Sequence, residues 1–359
     1  MQRVSVMNSQ KYRYNLILSI WIMLLISITM IASLTMSSRI NDYKAKYDSN
    51  NISRIILIEQ DDMNFVTNVS FGTYINRISR LSMKDSNFDI DFYIWFKWNG
   101  DEVSPGENFQ IVNGQINLKQ KQAEWHEGDD HYEQYQVFAS ITKPFDVMLF
   151  PFDNYKLQVE IEDSYNSIDE LQYIPENNEN GKISPELTIP GYCLRPLDPI
   201  SELHTYSTNF GSPWNETNPS IYSRIVFGIG IARDGYGLYF KLFQSLFVAV
   251  SVALLGFFLK PDYAPRFVAG IGALFAAVAN YYTILSMQPI VGFVTLADSI
   301  NLIGILTILL SLIESSISLF IYEHLENRDF YWRFDKYSIV TFILCYIFIN
   351  WWIVAIAID

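Results

Sequence analysis

The chain has 359 residues, half of them hydrophobic and 18% charged, yet its formal net charge is −13. A chain this apolar is not a disordered acidic tail, because disorder needs low hydrophobicity. A chain this acidic lacks the basic face that nucleic-acid binding requires, so no nucleic-acid partner is expected. The charge is segregated. Residues 37–237 hold 16 Lys and Arg against 30 Asp and Glu, a balance of −14, and the other 158 residues come to +1. An acidic, water-facing domain between apolar ends is the pattern of a membrane protein.

In chain order, a basic leader with Arg3, Lys11 and Arg13 precedes the uncharged run Tyr14–Ser38. The run exceeds the roughly 7–15 apolar residues of a secretory signal and ends without a small-x-small cleavage site. It reads as an uncleaved anchor, with a signal segment as the alternative. Residues 50–236 read as β structure, with strands expected over Ile52–Ile58, Phe88–Trp98, Gln134–Ile141, Tyr155–Ile161 and Ser220–Ile231. Turn residues separate them at Asn99-Gly100-Asp101, Ser104-Pro105-Gly106 and Asn180-Gly181, which predicts a β-sandwich. Four further apolar runs follow: Leu242–Leu259, Phe267–Gln288, Asp298–Tyr322 and Tyr337–Ile358. Each is close to the ~20 residues that a spanning helix needs. The expected division is therefore 1–38 leader and signal or anchor helix, 39–237 β-sandwich, and 238–359 four-helix transmembrane domain. Basic residues fall in the leader, at Lys260 and Arg266, and at Arg328, Arg333 and Lys336, while the 288–294 turn has none. The positive-inside rule then puts these basic connections and an uncleaved N-terminus in the cytoplasm, and 39–237 outside, extracellular or periplasmic, at the plasma (inner) membrane.

Catalytic signals are weak. The four histidines lack metalloprotease spacing, and neither a Gly-rich phosphate loop nor a nucleophile elbow occurs. His126 and His131 flank Glu127, Asp129 and Asp130, which reads as a solvated polar loop rather than a metal site. Cys193 and Cys345 fall in the acidic domain and in an apolar run, so a disulfide between them is not expected. Sequons at Asn51, Asn68 and Asn215 fit an exterior domain. No enzyme activity, metal or cofactor is expected.

The segment Phe145-Asp146-Val147-Met148-Leu149-Phe150-Pro151-Phe152-Asp153 resembles the FPFD loop of the pentameric ligand-gated ion channels, or Cys-loop receptors. Lys143 and Leu157 stand where the animal receptors carry the bracketing cysteines, which is similar to the prokaryotic branch. The resemblance continues with Arg233 before the first apolar run, with Arg266 and Pro289 around the second, and with Phe293 in the following turn. It extends to Asp298 and Glu314 in the third run, and to Arg333–Ser338 and Phe348–Trp352 around the fourth. It covers roughly 50–359. The departures are Gln244-Ser245 in place of a mid-helix proline, no visible Trp-x-Pro-Asp motif, and no paired cysteines at the agonist loop.

The resemblance implies a homopentameric channel for inorganic ions in a lipid bilayer, opened by a small ligand or by protons. The pore helix would turn Ala264, Val268, Gly272, Phe275, Ala279, Tyr282, Thr283 and Ser286 to the conduction path, with Phe275 as a dewetting constriction and Arg266 at the mouth. A helix rich in Ala269, Gly270, Gly272, Ala273, Ala276 and Ala277 also suits close packing. Ala264-Pro265-Arg266 is similar to the mouth of the anion channels, whereas the acidic domain favours cations. Asp146, Phe150, Pro151, Phe152, Asp153, Arg233, Pro289 and Asp298 would couple the two domains. Asp298 also suits the helix dipole, and Glu314 suits a structural partner between helices. Tyr206, Trp214 and Tyr222, around the hairpin Thr208–Ser220, would form the ligand site. The alternative is a membrane-anchored receptor of the same fold that does not conduct.

Overall fold

The computed structural model describes residues 2–52, 66–176, 182–211, 220–233, 235–324 and 328–358. They form two units. One comprises 1–46, 147–152 and 235–359, and the other comprises 47–146 and 153–234.

Among the described residues, the second unit holds ten strands in two sheets. Strands β1 (Thr67–Ser82), β2 (Asn87–Asn99), β4 (Gly114–Glu127), β5 (Asp130–Thr142), β7 (Leu171–Pro175) and β8 (Lys182–Ile183) make the larger sheet, ordered β4-β5-β2-β1-β7 with β8 beside β1. A short helix α2 (Pro105–Asn108) leads into β3 (Phe109–Ile111). That strand joins β6 (Asn154–Asp163), β9 (Tyr192–Thr205) and β10 (Ile221–Arg233) in the order β3-β6-β10-β9. Period-two alternation drives the assembly. In β2, Phe88, Ile90, Phe92, Ile94 and Phe96 are all fully buried, each such residue contributing roughly 1.5–3 kcal/mol. Rings from the two sheets meet in this core: Phe92 lies 5.0 Å from Phe227, and Phe96 lies 5.6 Å from Phe109.

The expected strands at 88–98, 134–141, 155–161 and 220–231 fall within β2, β5, β6 and β10. Of the run Ile52–Ile58, Ile52 ends a helix and the rest lies outside the described residues, as does the Asn180-Gly181 turn. The sequence reading did not single out β1, β4 and β9. Strands β4 and β9 are sheet edges, so β4 needs no apolar face and β9 accommodates Pro196 and Pro199.

Among the described residues, the first unit holds five helices long and apolar enough to cross a membrane: α1 (Gln2–Ile52), α3 (Gly235–Leu255, prolonged by a 3-10 turn at Gly256–Phe258), α4 (Pro265–Leu285), α5 (Leu296–His324) and α6 (Arg328–Ile358). They fit a membrane-embedded chain. Helix α1 runs past the expected Ser38 because no Pro or Gly interrupts it. Helix α6 begins before the expected Tyr337 because Phe330, Phe334 and Asp335 give its polar first turns a buried face. Helix α1 belongs to the same assembly. It buries Trp21, Leu25, Ser33, Met36 and Ile40 at helical spacing. Trp21 meets Phe334 at 6.4 Å, and Ser299 Oγ donates to Met36 Sδ at 3.3 Å. Glycines allow the closest approaches: a Cβ on Gly270 would fall 2.4 Å from Leu312 Cδ2, and one on Gly304 2.6 Å from Leu246 Cδ1.

Two polar ties cross the helices. Ser245 Oγ donates to Asn280 Oδ1 at 2.8 Å, and Asn280 Nδ2 donates to Asn301 Oδ1 at 3.2 Å, joining α3, α4 and α5. At the other end of α4, Arg266 is 1% exposed. Its guanidinium donates to Glu314 (2.9 Å), Asp335 (2.7 Å), Ser315 (3.0 Å) and the Leu259 carbonyl (3.3 Å). Removing one member of a buried ion cluster strands the others, at about 3–5 kcal/mol. Arg266→Met is therefore expected to lower stability in detergent by about that amount. Adding Glu314→Gln should recover part of the loss. Unfolding midpoints of the two variants against the parent chain check this, and an Arg266→Met midpoint equal to the parent's would refute it.

Candidate functional site

Helix α4 has two unlike faces. Arg266, Gly270, Ala273, Ala277, Asn280 and Ile284 recur every three or four residues and are buried within the chain. The opposite stripe of Ala264, Val268, Gly272, Phe275, Ala279, Tyr282, Thr283 and Ser286 is exposed at every position. The faces are set by composition, since the buried side carries small residues that admit α5 and polar residues that find partners across the helices. The exposed stripe differs in kind from the exposed faces of α5 and α6. Those carry Leu302, Leu306, Leu309, Ile343, Leu344, Ile347 and Phe348, large apolar side chains that suit lipid. The α4 stripe mixes Val268 and the rings of Phe275 and Tyr282 with Gly, Ala, Thr and Ser, and its C-terminal end is polar.

Arg266 departs from expectation. The sequence reading put it at the mouth of a pore, but its side chain turns into the interior, held by carboxylates of α5 and α6. A guanidinium flanked by two buried acids has more to gain there than at an open rim. Glu314 is correspondingly the interhelical partner that its position suggested. Asp298 caps its helix: Thr295 N donates to Asp298 Oδ2 at 2.9 Å and Asp298 N donates to Thr295 Oγ1 at 3.2 Å. This reciprocal capping box satisfies two free amides at the start of α5.

The segment 147–152 belongs to the helical unit. Phe150 and Pro151 are buried and joined by a cis peptide bond. Phe152 lies 5.7 Å from Tyr236 and 5.8 Å from Tyr239 on α3. Leu296 N, at the start of α5, donates to the Met148 carbonyl at 2.9 Å. The segment thus meets the first residues of two helices. Pro289, another of the expected coupling residues, is half-buried.

In the sheet unit, Asp146 is exposed and Asp153 is buried. Tyr155 donates its hydroxyl to Asp153 Oδ2. Burial raises the Asp153 carboxyl to about 6, against the opposing pull of Tyr155 and the Arg233 charge, with Asp146 adding to the rise. Burial lowers Arg233. Its guanidinium donates to the Tyr192 hydroxyl and sits 4.5 Å over the Tyr192 ring. Sequence reasoning missed Tyr155 and Tyr192. The alternation of β6 around Asp153 was the available signal for the first, and only the register Arg233↔Tyr192 shows the second.

Tyr206 and Tyr222 do come together, 5.8 Å apart edge to face, with Phe210 and His204 also against Tyr206 at 5.1 and 4.5 Å. Trp214 lies outside the described residues. The sequence reading missed the charged floor beneath these rings. Tyr206 donates to Glu162 Oε2 at 2.7 Å, and Arg224 pairs with Glu162 (2.7 Å) and Glu160 (2.8 Å). Burial alone would lower Arg224, but these carboxylates hold it above its usual value. Comparison with protein-family models and with curated protein sequences finds no match to this chain.

The Asp153 shift has a definite sign. A carboxyl that titrates near 6 when folded and near 3.8 otherwise favours the folded form below about pH 4, and that contribution is lost as pH rises through about 6. The thermal midpoint of the parent chain should therefore fall more steeply between pH 4 and 6.5 than that of Asp153→Asn. Parallel pH profiles would contradict the assignment.

Proposed function

We propose that the chain is one subunit of a homopentameric, ligand-gated or proton-gated ion channel in a cell membrane, with the two-sheet unit as an external β-sandwich and α3–α6 as a four-helix pore domain. The observation that carries this reading is the α4 stripe. It is an exposed stripe in which small and polar residues alternate with Val268, Phe275 and Tyr282, opposite the face of α4 that packs within the chain, with Ile271, Val278 and Leu285 exposed beside it. Five copies around an axis would enclose a path that is polar outside and apolar in the middle. At Phe275 an apolar ring closes by dewetting. The FPFD-like segment supports the reading, because its seat on the starts of α3 and α5 is where a displacement would reach the helices next to α4.

An effector acting on the sheet unit would shift a closed-to-open equilibrium by its differential affinity for the two states. The aromatic cluster around Tyr206 suits an amine, and the raised Asp153 suits a proton. Arg266, turned inward and neutralised, adds no free positive ring at the mouth, so the −14 of residues 37–237 dominates the field and favours cations. The apolar middle formed by Val268, Gly272, Phe275 and Ala279 favours a second reading, a receptor of the same fold that does not conduct.

Reconstitution into planar bilayers separates the two. The channel reading expects effector- or acid-evoked current, a reversal potential that follows the cation gradient, and a larger current in Phe275→Ala. No current from a verified pentamer of either chain would leave the receptor. Arg233→Ala is expected to abolish evoked current while leaving assembly intact, as read by current against surface quantity, and normal current in that variant would sink the coupling role.

A further inference from the structure

The tip of the β4–β5 hairpin brings His126 and His131 directly opposite one another across the antiparallel pair. Their Nδ1 atoms stand 3.1 Å apart. Two imidazole lone pairs at that distance repel unless a positive centre lies between them, either a proton on one nitrogen or a metal ion bound to both. The surroundings of His131 bear on which nitrogens are free. Its Nε2 lies 3.1 Å from Asp101 Oδ1, off the line of an ideal hydrogen bond but within ion-pair reach. A carboxylate there favours a proton on Nε2 and leaves Nδ1 as a bare donor of electrons, the relation by which an outer carboxylate orients a metal-ligating histidine. The ring is fixed from its face as well. Trp98, its cross-strand neighbour in β2, stacks on it with centroids 5.0 Å apart and planes 10° from parallel. His126 is exposed, so an ion can reach the pair from solvent.

We propose that His126 and His131 form a two-imidazole site for a divalent transition-metal ion of the zinc and copper class, with Asp101 as the carboxylate that positions His131. Two nitrogens on one tetrahedral ion, each at about 2.0–2.1 Å, stand about 3.3 Å apart, so the pair needs to open by only a few tenths of an ångström. Imidazole suits zinc, copper and nickel and not magnesium or calcium. Among the described residues no group of three or more His, Cys, Asp or Glu could hold a metal, so water fills the other positions and binding is reversible. Glu127, Asp129 and Asp130 add negative charge to the same tip. The site stands on the hairpin alone and is independent of whether the chain conducts.

Titration calorimetry of the full-length, untagged chain in detergent, with zinc chloride or copper chloride alone in a non-coordinating buffer, tests the proposal. One ion per chain is expected, with copper tighter than zinc and no competition from magnesium. His126→Gln and His131→Gln should each weaken binding by about tenfold or more, and Asp101→Asn by about tenfold. Because His126 is exposed, its variant keeps the fold, which circular dichroism verifies, and it decides the matter if His131→Gln is unstable for want of the Trp98 stack. Copper electron paramagnetic resonance should report two imidazole nitrogens. Absence of binding, or binding unchanged in His126→Gln, would overturn the site. Unchanged binding in Asp101→Asn alone would remove the carboxylate's part in it.

Discussion

A guanidinium with no access to water constrains the whole helical unit. Arg266 is buried at the first turn of α4, and a charge so placed costs several kcal/mol unless it is paired and hydrogen-bonded. Its partners come from α5 (Glu314 and Ser315), from α6 (Asp335) and from the backbone just before α4 (Leu259). Satisfying one side chain therefore fixes the relative depth and rotation of three helices at one end. The Ser245–Asn280–Asn301 tie does the same for α3, α4 and α5 further along. Apolar packing cannot specify register in this way where every surface is greasy, so the two polar clusters carry it.

Fixing the rotation of α4 decides what its other face can do. With Arg266 and Asn280 turned inward, Val268, Phe275 and Tyr282 must point out, and the small residues between them are left uncovered by the chain itself. Lipid gains little from Gly272, Ala279, Thr283 or Ser286. A water path or a facing copy of the same helix suits them better. The proposed pore is thus a consequence of the ion cluster, and the cluster also removes Arg266 from the selectivity of that pore.

Much of this was legible in the sequence because long apolar runs and period-two alternation are local signals. The four C-terminal runs correspond to α3–α6, and the stripe at 264–286 followed from helical spacing together with the resemblance. Long-range partners were not legible. Nothing local says that Arg266 finds Asp335, 69 residues later, or that Arg224 neutralises Glu162. Edge strands β4 and β9 hide because one side faces water, and β9 even carries prolines. His126 and His131, five apart around a tight turn, read as a solvated loop until the hairpin register set them opposite one another with their Nδ1 atoms 3.1 Å apart. The apolar run at 14–38 was visible, but its burial of Trp21, Leu25 and Met36 within the helical unit was not, because a stripe of that kind is indistinct where every face is apolar.

A conducting pore requires that the exposed α4 stripe border water in the assembled protein. Cysteine scanning along 264–286 in a Cys193→Ser, Cys345→Ser chain, reconstituted in liposomes and treated with a charged, membrane-impermeant thiol reagent, tests it directly. Modification recurring at 268, 272, 275, 279, 282 and 286, with none at the lipid-suited position 344 on α6, is the predicted result. Equal protection along the whole stripe, or reaction at 344 as fast as at 279, would contradict it.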